Sequence, residues 1–231
     1  MEKVSVLIVA AGKGTRMKSE MPKQFLKIGG YSVLYHTVSR FLNIPEIIEI
    51  IIVGHPEYLN SREMQNSIPA AEIPIHVLAG GAHRQESVYN GLQKVSDEAD
   101  IVCIHDGVRP LIQTGLIRKS IEFCNKYDGA VIAVPVVDTL KKVEVDGQTV
   151  IQTLDRSNVW QAQTPQTFRK SIIENAYRHI RKHEIQGTDD AQLVENLGFR
   201  IAVIKGSTRN LKITTPEDLQ IATFFLEEEM S

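Results

Sequence analysis

The chain has 231 residues, of which 42% are apolar and 23% charged, with 26 Lys and Arg against 28 Asp and Glu. This length fits one large domain or two small ones, and it permits a full hydrophobic core. A formal charge of -2 gives no reason to expect nucleic acid or acidic membranes as partners. The composition excludes collagen-like and disordered proteins.

Short apolar runs alternate with longer segments of helical periodicity, which predicts an α/β architecture. The first run, residues 4–10, is nearly continuously apolar, as in a parallel strand covered on both faces. Strands are predicted at residues 4–10, 47–53, 75–79, 101–105, 130–135, 201–204 and 211–213. Helices are predicted at residues 32–42, 85–95, 116–127, 170–182, 189–196 and from 215 onwards.

A hairpin is predicted where Asp146-Gly147 separates residues 139–145 from residues 150–154, because Asp-Gly between alternating apolar and polar residues favours a tight turn. We therefore expect residues 1–231 to form a single domain with a Rossmann-like, mostly parallel sheet and helices on both faces. A β-hairpin arm is expected to extend from it at about residues 137–158.

The two cysteines, Cys103 and Cys124, form no Cys-x-x-Cys pair, so we expect two reduced, buried thiols rather than a zinc or redox site. No apolar run approaches the roughly 20 residues that a membrane-spanning helix needs. The apolar segment at residues 5–11 lacks a positively charged leader and continues into a glycine-rich loop, which favours a strand over a signal peptide. A cytoplasmic protein without membrane contact is expected.

The first predicted strand leads into the glycine-rich loop Ala10-Ala11-Gly12-Lys13-Gly14-Thr15-Arg16. Such loops bind nucleotides at the carboxyl end of parallel sheets, since glycine lets backbone N–H groups approach phosphate oxygens, although a purely structural turn is the alternative. The Walker A pattern is absent from the sequence. A dinucleotide fingerprint would need glycine at Met17, so a hydride-transfer enzyme is disfavoured.

Two cations, Arg16 and Lys23, flank this loop. Each taken alone fits a solvent-exposed charge, but together with the loop they indicate a triphosphate clamp. A phosphate monoester is an anionic nucleophile near neutral pH, so catalysis would need alignment and charge stabilisation rather than an activated side chain. Mg²⁺ is expected to bridge the triphosphate.

Other polar positions follow the predicted strands. Asp106 ends the fourth strand, where it either holds Mg²⁺ or a sugar hydroxyl, or pairs with Arg109 as a capping carboxylate. Ser87 follows the Gly80-Gly81 turn and either bonds the edge of a base or begins an ordinary helix. Arg156, at the end of the arm, either binds a ligand or pairs with its neighbour, and Lys212 lies in a predicted strand where an exposed lysine is the default.

Taken in order, these motifs resemble the 2-C-methyl-D-erythritol 4-phosphate cytidylyltransferase family of the non-mevalonate isoprenoid pathway, over essentially the whole chain. Each motif alone is unspecific, whereas the ordered set is specific. The motifs are Ala10-Ala11-Gly12-x-Gly14-x-Arg16-Met17, Pro22-Lys23-Gln24-Phe25, Gly80-Gly81 with Arg84 and Ser87, His105-Asp106-x-x-Arg109-Pro110, Val134-Pro135-Val136-x-Asp138-Thr139-x-Lys141, Asp155-Arg156, Thr164-Pro165-Gln166, Thr188-Asp189-Asp190-Ala191 and Asn210-Leu211-Lys212-Ile213-Thr214.

The resemblance implies a sugar-nucleotidyltransferase fold, and a homodimer in which the arm embraces the partner subunit. It implies a reaction of CTP with methylerythritol phosphate that gives the CDP-alcohol and pyrophosphate. Arg16 and Lys23 would stabilise the transition state, and Arg156 and Lys212 would position the substrate phosphate. The residues implied to bind CTP are Ala10, Ala11, Gly12, Gly14, Gly81, Ala82 and Ser87. Those implied to line the alcohol-phosphate pocket are Asp106, Arg109, Thr139 and Thr164.

One position departs from the family pattern, which often has Asp directly after the Gly-Gly turn where this chain has Ala82. Base selection would survive this change if backbone atoms hold the nucleotide. Two alternatives stay open: a ribitol-5-phosphate cytidylyltransferase, which shares the motifs, and a nucleotide-binding module without turnover. The segments Val134-Pro135-Val136 and Trp160-Gln161-Ala162-Gln163 favour the methylerythritol enzyme over the first, and the full set of cations argues against the second.

Overall fold

The structure is a computed structural model that describes residues 1–12, 14, 17, 19, 21–183 and 186–230. Its strands are β1 (Val4–Ala10), β2 (Lys27–Ile28), β3 (Tyr31–Ser32), β4 (Ile47–Gly54), β5 (Ile75–Ala79), β6 (Ile101–Asp106), β7 (Gly129–Pro135), β8 (Leu140–Val143), β9 (Val150–Leu154), β10 (Trp160–Arg169) and β11 (Ile201–Lys205). Its helices are α1 (Val33–Ser39), α2 (Arg62–Gln65), α3 (Arg84–Leu92), α4 (Thr114–Phe123), α5 (Lys170–His183), α6 (Asp190–Glu195) and α7 (Pro216–Met230). Short 3₁₀ turns occupy Lys23–Phe25 and Pro56–Tyr58.

In the described part of the chain, seven strands form one sheet in the order β11-β7-β10-β6-β1-β4-β5. Every neighbouring pair is parallel except those that include β10, which runs antiparallel to β6 and β7. The register sets Val9 opposite Asp106, and Ala10 opposite Gly54. The strands β1, β4 and β6 therefore end at one edge, and the predicted mostly parallel α/β fold is confirmed.

The alternation of side chains along β1 explains why helices cover both faces of the sheet. Val6 and Ile8 pack on one face with Val38, next to α1 and α4. Leu7 points to the other face and packs with Val88 of α3, in a cluster that also includes buried side chains of α5 and α6. Successive residues of a strand face opposite sides, so a continuous apolar run requires cover on each side.

Side-chain caps set the first residues of the helices where the sequence predicted them. Ser32 Oγ accepts a hydrogen bond from the Tyr35 N–H at 3.0 Å, which satisfies a donor at the start of α1. At the start of α7, the Asp218 N–H donates to Thr215 Oγ1 at 3.3 Å, while Asp218 Oδ2 accepts the Thr215 N–H at 2.9 Å.

The sequence did not predict β10, which lies in the centre of the sheet between β6 and β7. This strand is polar where most central strands are apolar, and its Thr164–Pro165 peptide bond is cis. The register with β7 shifts between Ala162 and Gln166, on either side of that bond. Four buried polar side chains of the strand each make a hydrogen bond: Gln163, Thr164, Gln166 and Thr167.

The strand predicted at residues 211–213 is wrong, because these residues follow the loop after β6 instead of a sheet edge. The Ile213 N–H donates to the Val108 carbonyl at 2.9 Å. Asn210 Nδ2 donates to the carbonyl of Thr164 at 2.9 Å, which anchors the segment to β10. This path brings Lys212 to the carboxyl edge of the sheet.

The predicted hairpin is confirmed: it forms a separate two-stranded sheet in which Leu140 of β8 pairs with Leu154 of β9. Its turn contains Gly147 at φ +72°, a left-handed conformation that glycine adopts without strain. Six large apolar side chains of the arm are exposed in the single chain: Val137, Val143, Val145, Val150, Ile151 and Leu154. An isolated two-stranded hairpin is marginally stable in water, so this arm gains stability if something covers it.

Both cysteines are free and buried, as predicted. Burial raises the pKa of the Cys103 thiol and of the Cys124 thiol to about 12, so neither supplies a thiolate near neutral pH. None of the helices in the described ranges combines the length and the apolar character that crossing a membrane requires.

Candidate active site

A cleft of about 280 Å³ lies at the carboxyl edge of β1 and β6. It brings together ten of the residues that the sequence analysis assigned to a site: Ala10, Ala11, Gly12, Gly14, Lys23, Gly81, Ala82, Ser87, Asp106 and Lys212. Residues distant in sequence meet here because parallel strands end at a common edge, which is where open α/β sheets bind ligands.

The first glycine-rich loop is held by the residues that follow it. Gln24 is buried, and its Nε2 donates to the Ala10 carbonyl at 2.8 Å. Gly14 has φ +66°, and a Cβ there would lie 3.1 Å from Lys23 Cγ, so the loop packs directly on the lysine stem. Lys23 Nζ donates to the Ile213 carbonyl at 2.8 Å, which places the ammonium group beside the segment that carries Lys212.

The second loop, at the start of α3, is shaped by two side chains from the first turn of that helix. Ser87 Oγ accepts the Gly81 N–H at 3.1 Å and donates to the His83 carbonyl at 3.1 Å. Glu86 Oε2 accepts the Ala82 N–H at 2.8 Å. The hydroxyl of Ser87 is thus engaged in the turn, and Glu86 supplies a carboxylate beside Ala82.

The two loops touch at Gly80. A Cβ at this position would lie 2.5 Å from Ala11 Cβ and 2.8 Å from Ser87 Oγ. Only glycine permits so close an approach of backbone to a neighbouring loop. The contact between the two loops therefore leaves no room for a side chain at Gly80.

Asp106 is 6% exposed and is surrounded by three cations. Its Oδ2 lies 2.9 Å from Lys212 Nζ and 3.5 Å from Arg109 Nε, and its Oδ1 lies 3.3 Å from Arg84 Nε. Burial alone would raise the pKa of Asp106, but the charges of Arg84, Lys212 and Arg109 outweigh it and hold this pKa well below its usual range. The carboxylate is therefore ionised near neutral pH. The predicted pairing with Arg109 is present, alongside two further ion pairs.

A neutral histidine fixes the backbone at Asp106. The Asp106 N–H donates to Thr164 Oγ1 at 3.0 Å, and this hydroxyl lies 2.9 Å from His105 Nδ1. Burial lowers the pKa of His105 to about 4, so the ring carries a single proton near neutral pH. His105 Nε2 faces the Arg109 carbonyl at 3.1 Å and must hold that proton, which leaves Nδ1 to accept from Thr164.

Among the described residues, the other predicted site residues do not line the cleft. Arg109 is buried, and its Nη1 donates to the Asn210 carbonyl at 2.7 Å, so it supports Asp106 from behind. Thr164 is also buried, with its hydroxyl engaged by Asp106 and His105. Thr139 and Arg156 are exposed on the arm, whereas Arg16 lies outside the described residues.

Sequence reasoning gave no role to two charged residues, Arg84 and Asp190, although both belong to the polar motifs. Arg84 lines the cleft, and its Nη2 lies 2.7 Å from Asp190 Oδ2. The only signal in the sequence is that each residue sits in a polar motif near the end of a predicted element. Their pairing spans more than a hundred residues and joins the first residue of α3 to the first residue of α6.

The cleft offers few side-chain ligands for Mg²⁺. Among the described residues, no group of three or more His, Cys, Asp or Glu is arranged to hold a metal ion by itself. Asp106 is the one carboxylate among the described residues that line the cleft. Mg²⁺ commonly binds through one or two carboxylates together with substrate phosphates. The cleft therefore fits a Mg²⁺ that arrives with a triphosphate.

Comparison with known proteins relates the chain to one family. Residues 4–228 match the model of the family described as IspD, 2-C-methyl-D-erythritol 4-phosphate cytidylyltransferase. A protein of that name from Syntrophus aciditrophicus is 42% identical over 229 residues, which cover 98% of this chain and 97% of the relative. The crystal structure of 4-diphosphocytidyl-2C-methyl-D-erythritol synthase from Anaerococcus prevotii is similar with a TM-score of 0.84 at 31% identity, covering 98% and 99% of the two chains. A structure of the cytidylyltransferase from Thermus thermophilus gives a TM-score of 0.80 at 32% identity, covering 98% and 100%.

Proposed function

The chain belongs to the 2-C-methyl-D-erythritol 4-phosphate cytidylyltransferase family, and from this premise we propose that it transfers the cytidylyl group of CTP to 2-C-methyl-D-erythritol 4-phosphate. The products are the CDP-alcohol and pyrophosphate. The observation that carries the proposal is the convergence of Lys23, Lys212 and Asp106 on one glycine-lined cleft. A site that only binds a nucleotide would not need this set of charges.

The chemistry is a displacement at the α-phosphorus of CTP. An oxygen of the substrate's phosphate monoester attacks, the new P–O bond forms, and the bond to the β-phosphate bridging oxygen breaks, so pyrophosphate leaves with the electron pair. The nucleophile is already anionic near neutral pH. Lys23, together with Arg16, stabilises the charge that builds up on the phosphoryl oxygens. Lys212 and Arg156 hold the attacking phosphate in line.

CTP would be held by the two loops that meet at Gly80. Ala10, Ala11, Gly12 and Gly14 line the cleft, and their backbone would face the triphosphate, because the lack of bulky side chains lets N–H groups reach oxygens. Gly81, Ala82 and Ser87 would hold the base through the turn that Ser87 and Glu86 shape. Glu86 also offers a carboxylate next to Ala82, where the family pattern often has Asp.

Asp106 would hold the divalent cation that accompanies CTP, and Mg²⁺ held there would offset the repulsion between the two polyanionic substrates. Lys212 contacts Asp106 at 2.9 Å and keeps 38% of its side chain exposed, so it can exchange the carboxylate for the substrate phosphate. Arg109 and Thr164 would support that pocket through Asp106, and Thr139 would complete it from the arm.

We propose that the active protein is a homodimer in which the arm reaches the partner subunit. The exposed apolar side chains of the arm support this arrangement, and so does Arg156, which is exposed on the arm and not part of the single-chain cleft. Mixing Arg156→Ala and Lys23→Ala proteins, with verified subunit exchange, is expected to restore part of the activity. No recovery would mean that each site is built from one chain.

We further propose that residues 1–231 fold as one nucleotidyltransferase domain with the arm at about 137–158, because β10 returns directly from the arm to the centre of the sheet. The two free thiols favour the reducing cytoplasm as its location. The formal charge of -2 is the reason for which we propose neither nucleic acid nor membrane as a partner.

The test of the function is pyrophosphate release from CTP and Mg²⁺ in the presence of each phosphorylated polyol. We expect release with methylerythritol phosphate and a kcat/KM at least tenfold lower with ribitol 5-phosphate. The reverse preference would reassign the substrate. Binding of CTP without release of pyrophosphate with either polyol would refute the enzymatic proposal.

A further inference from the structure

Asp190 is a buried carboxylate that no step of the proposed reaction uses. It is the first residue of α6 and has no exposed surface. Its Oδ2 lies 2.7 Å from Arg84 Nη2, and its Oδ1 accepts a hydrogen bond from the Tyr177 hydroxyl at 2.6 Å. Both oxygens are thus engaged, and the buried Tyr177 holds Asp190 in one orientation.

Arg84 connects Asp190 to the cleft. While Nη2 binds Asp190, Nε lies 3.3 Å from Asp106 Oδ1. Burial would lower the pKa of Arg84, but the two carboxylates outweigh it and raise this pKa above its usual value, so the guanidinium keeps its charge. A continuous chain of polar contacts therefore runs from Tyr177 of α5 through Asp190 and Arg84 to Asp106.

The orientation of the Arg84 guanidinium determines which oxygen of Asp106 it contacts. Because Asp190 takes Nη2, Arg84 presents Nε to Oδ1, and Oδ2 remains in contact with Lys212 at 2.9 Å. A guanidinium released from Asp190 can turn its fork to both oxygens of one carboxylate, since bidentate pairing is its preferred geometry. That rotation would compete with Lys212 for Asp106.

We propose that Asp190 is a positioning residue for cytidylyl transfer. By binding Nη2 of Arg84, it leaves Nε of Arg84 to contact one oxygen of Asp106, so that the other oxygen remains accessible to Lys212 and the substrates. This role rests on the proposed function. Tyr177 fixes the orientation of Asp190 and contributes to the same role. Asp190 acts through Arg84 and touches neither substrate.

The test compares Asp190→Asn with Asp189→Asn, a matched control that makes the same charge change one residue away. Asp189 accepts the Gln192 N–H and the Gln166 side chain, and both partners serve the start of α6 and not Arg84. We expect Asp190→Asn to lower kcat/KM for methylerythritol phosphate by about 10–100-fold, the range found when a supporting partner is removed. Asp189→Asn is expected to change it less than about threefold. Equal effects of the two variants would overturn the proposal.

A double-variant experiment with Arg84 distinguishes the positioning role of Asp190 from a purely structural one. In an Arg84→Gln background, Asp190→Asn should cost less than about twofold, because the residue it positions is already gone. An undiminished effect in that background would overturn the proposal.

A second readout does not depend on turnover. The NMR signal of the Arg84 Nε–H group is assigned by its loss in Arg84→Lys. This proton should exchange with solvent at least about tenfold faster in Asp190→Asn than in the wild type, and measurably faster in Tyr177→Phe. Tyr177→Phe also provides the test if Asp190→Asn fails to fold. Unchanged exchange would overturn the positioning role, whatever the substrate proves to be. A wild-type protein that shows this protection but releases no pyrophosphate would refute the proposed function while leaving the Arg84 contact in place.

Discussion

Replacing Lys23 by alanine tests the charge stabilisation on which the reaction depends. Lys23 lines the cleft, its Nζ donates to the Ile213 carbonyl at 2.8 Å, and its stem lies under Gly14. The ammonium group of Lys23 is thereby held next to the glycine-rich loop before a substrate binds. Such a donor contributes to the transition state without the cost of ordering it.

The expected loss follows from this preorganisation. The removal of one preorganised donor to a developing negative charge typically costs about 2.7–4 kcal/mol, which corresponds to a decrease in kcat of about 10²–10³. The lost hydrogen bond to Ile213 lowers the free energy of unfolding by only about 1–2 kcal/mol. Activity should therefore fall far more than stability.

The assay is pyrophosphate release at saturating CTP and polyol phosphate, with urea unfolding of the same samples. Lys27→Ala is the matched control, because Lys27 is an exposed lysine nearby in the sequence and is not part of the cleft lining. The kcat of Lys23→Arg should lie between those of Lys23→Ala and the wild type, because arginine keeps the positive charge but spreads it over a planar group. A kcat for Lys23→Ala within threefold of wild type would remove Lys23 from the mechanism.

Gly80→Ala should raise the Kd for CTP about tenfold, because the new Cβ meets Ala11 at 2.5 Å and separates the loops; Gly115→Ala, with no atom within 4 Å, should leave it unchanged. Thr164→Val should lower the free energy of unfolding by about 2–3 kcal/mol in urea, since two buried polar groups lose their partner. Burial lowers the pKa of His36, so its neutral form contributes stability above the usual pKa of about 6.5 that is lost on acidification. Urea unfolding from pH 7 to pH 5 should show a steeper loss for the wild type than for His36→Gln, and parallel curves would contradict this reasoning.

The sequence predicts the parts of the fold in which burial alone decides the conformation. Strands such as β1 are apolar on both faces, and the glycine-rich loop follows from one of them. The start of α1 is marked by the capping residue Ser32. These features depend on residues that are close together in the sequence, so they can be predicted from the sequence alone.

The remaining features depend on partners that the chain brings together from a distance. Thr164 lies in a polar, proline-containing segment, which argues against a central strand until the partners of its side chains are known. Lys212 appears in a strand-like triplet, yet a hydrogen bond to the loop after β6 sets its path. The pairing of Arg84 with Asp190 likewise has no local signature.

The single tryptophan of the chain, Trp160, is the first residue of β10, where the arm joins the sheet, and it is 40% exposed. An indole in this position senses the polarity of whatever surrounds the root of the arm. Its fluorescence is therefore a built-in, label-free optical signal, by which a dilution series or a titration with nucleotide reports on the arm in the unmodified protein.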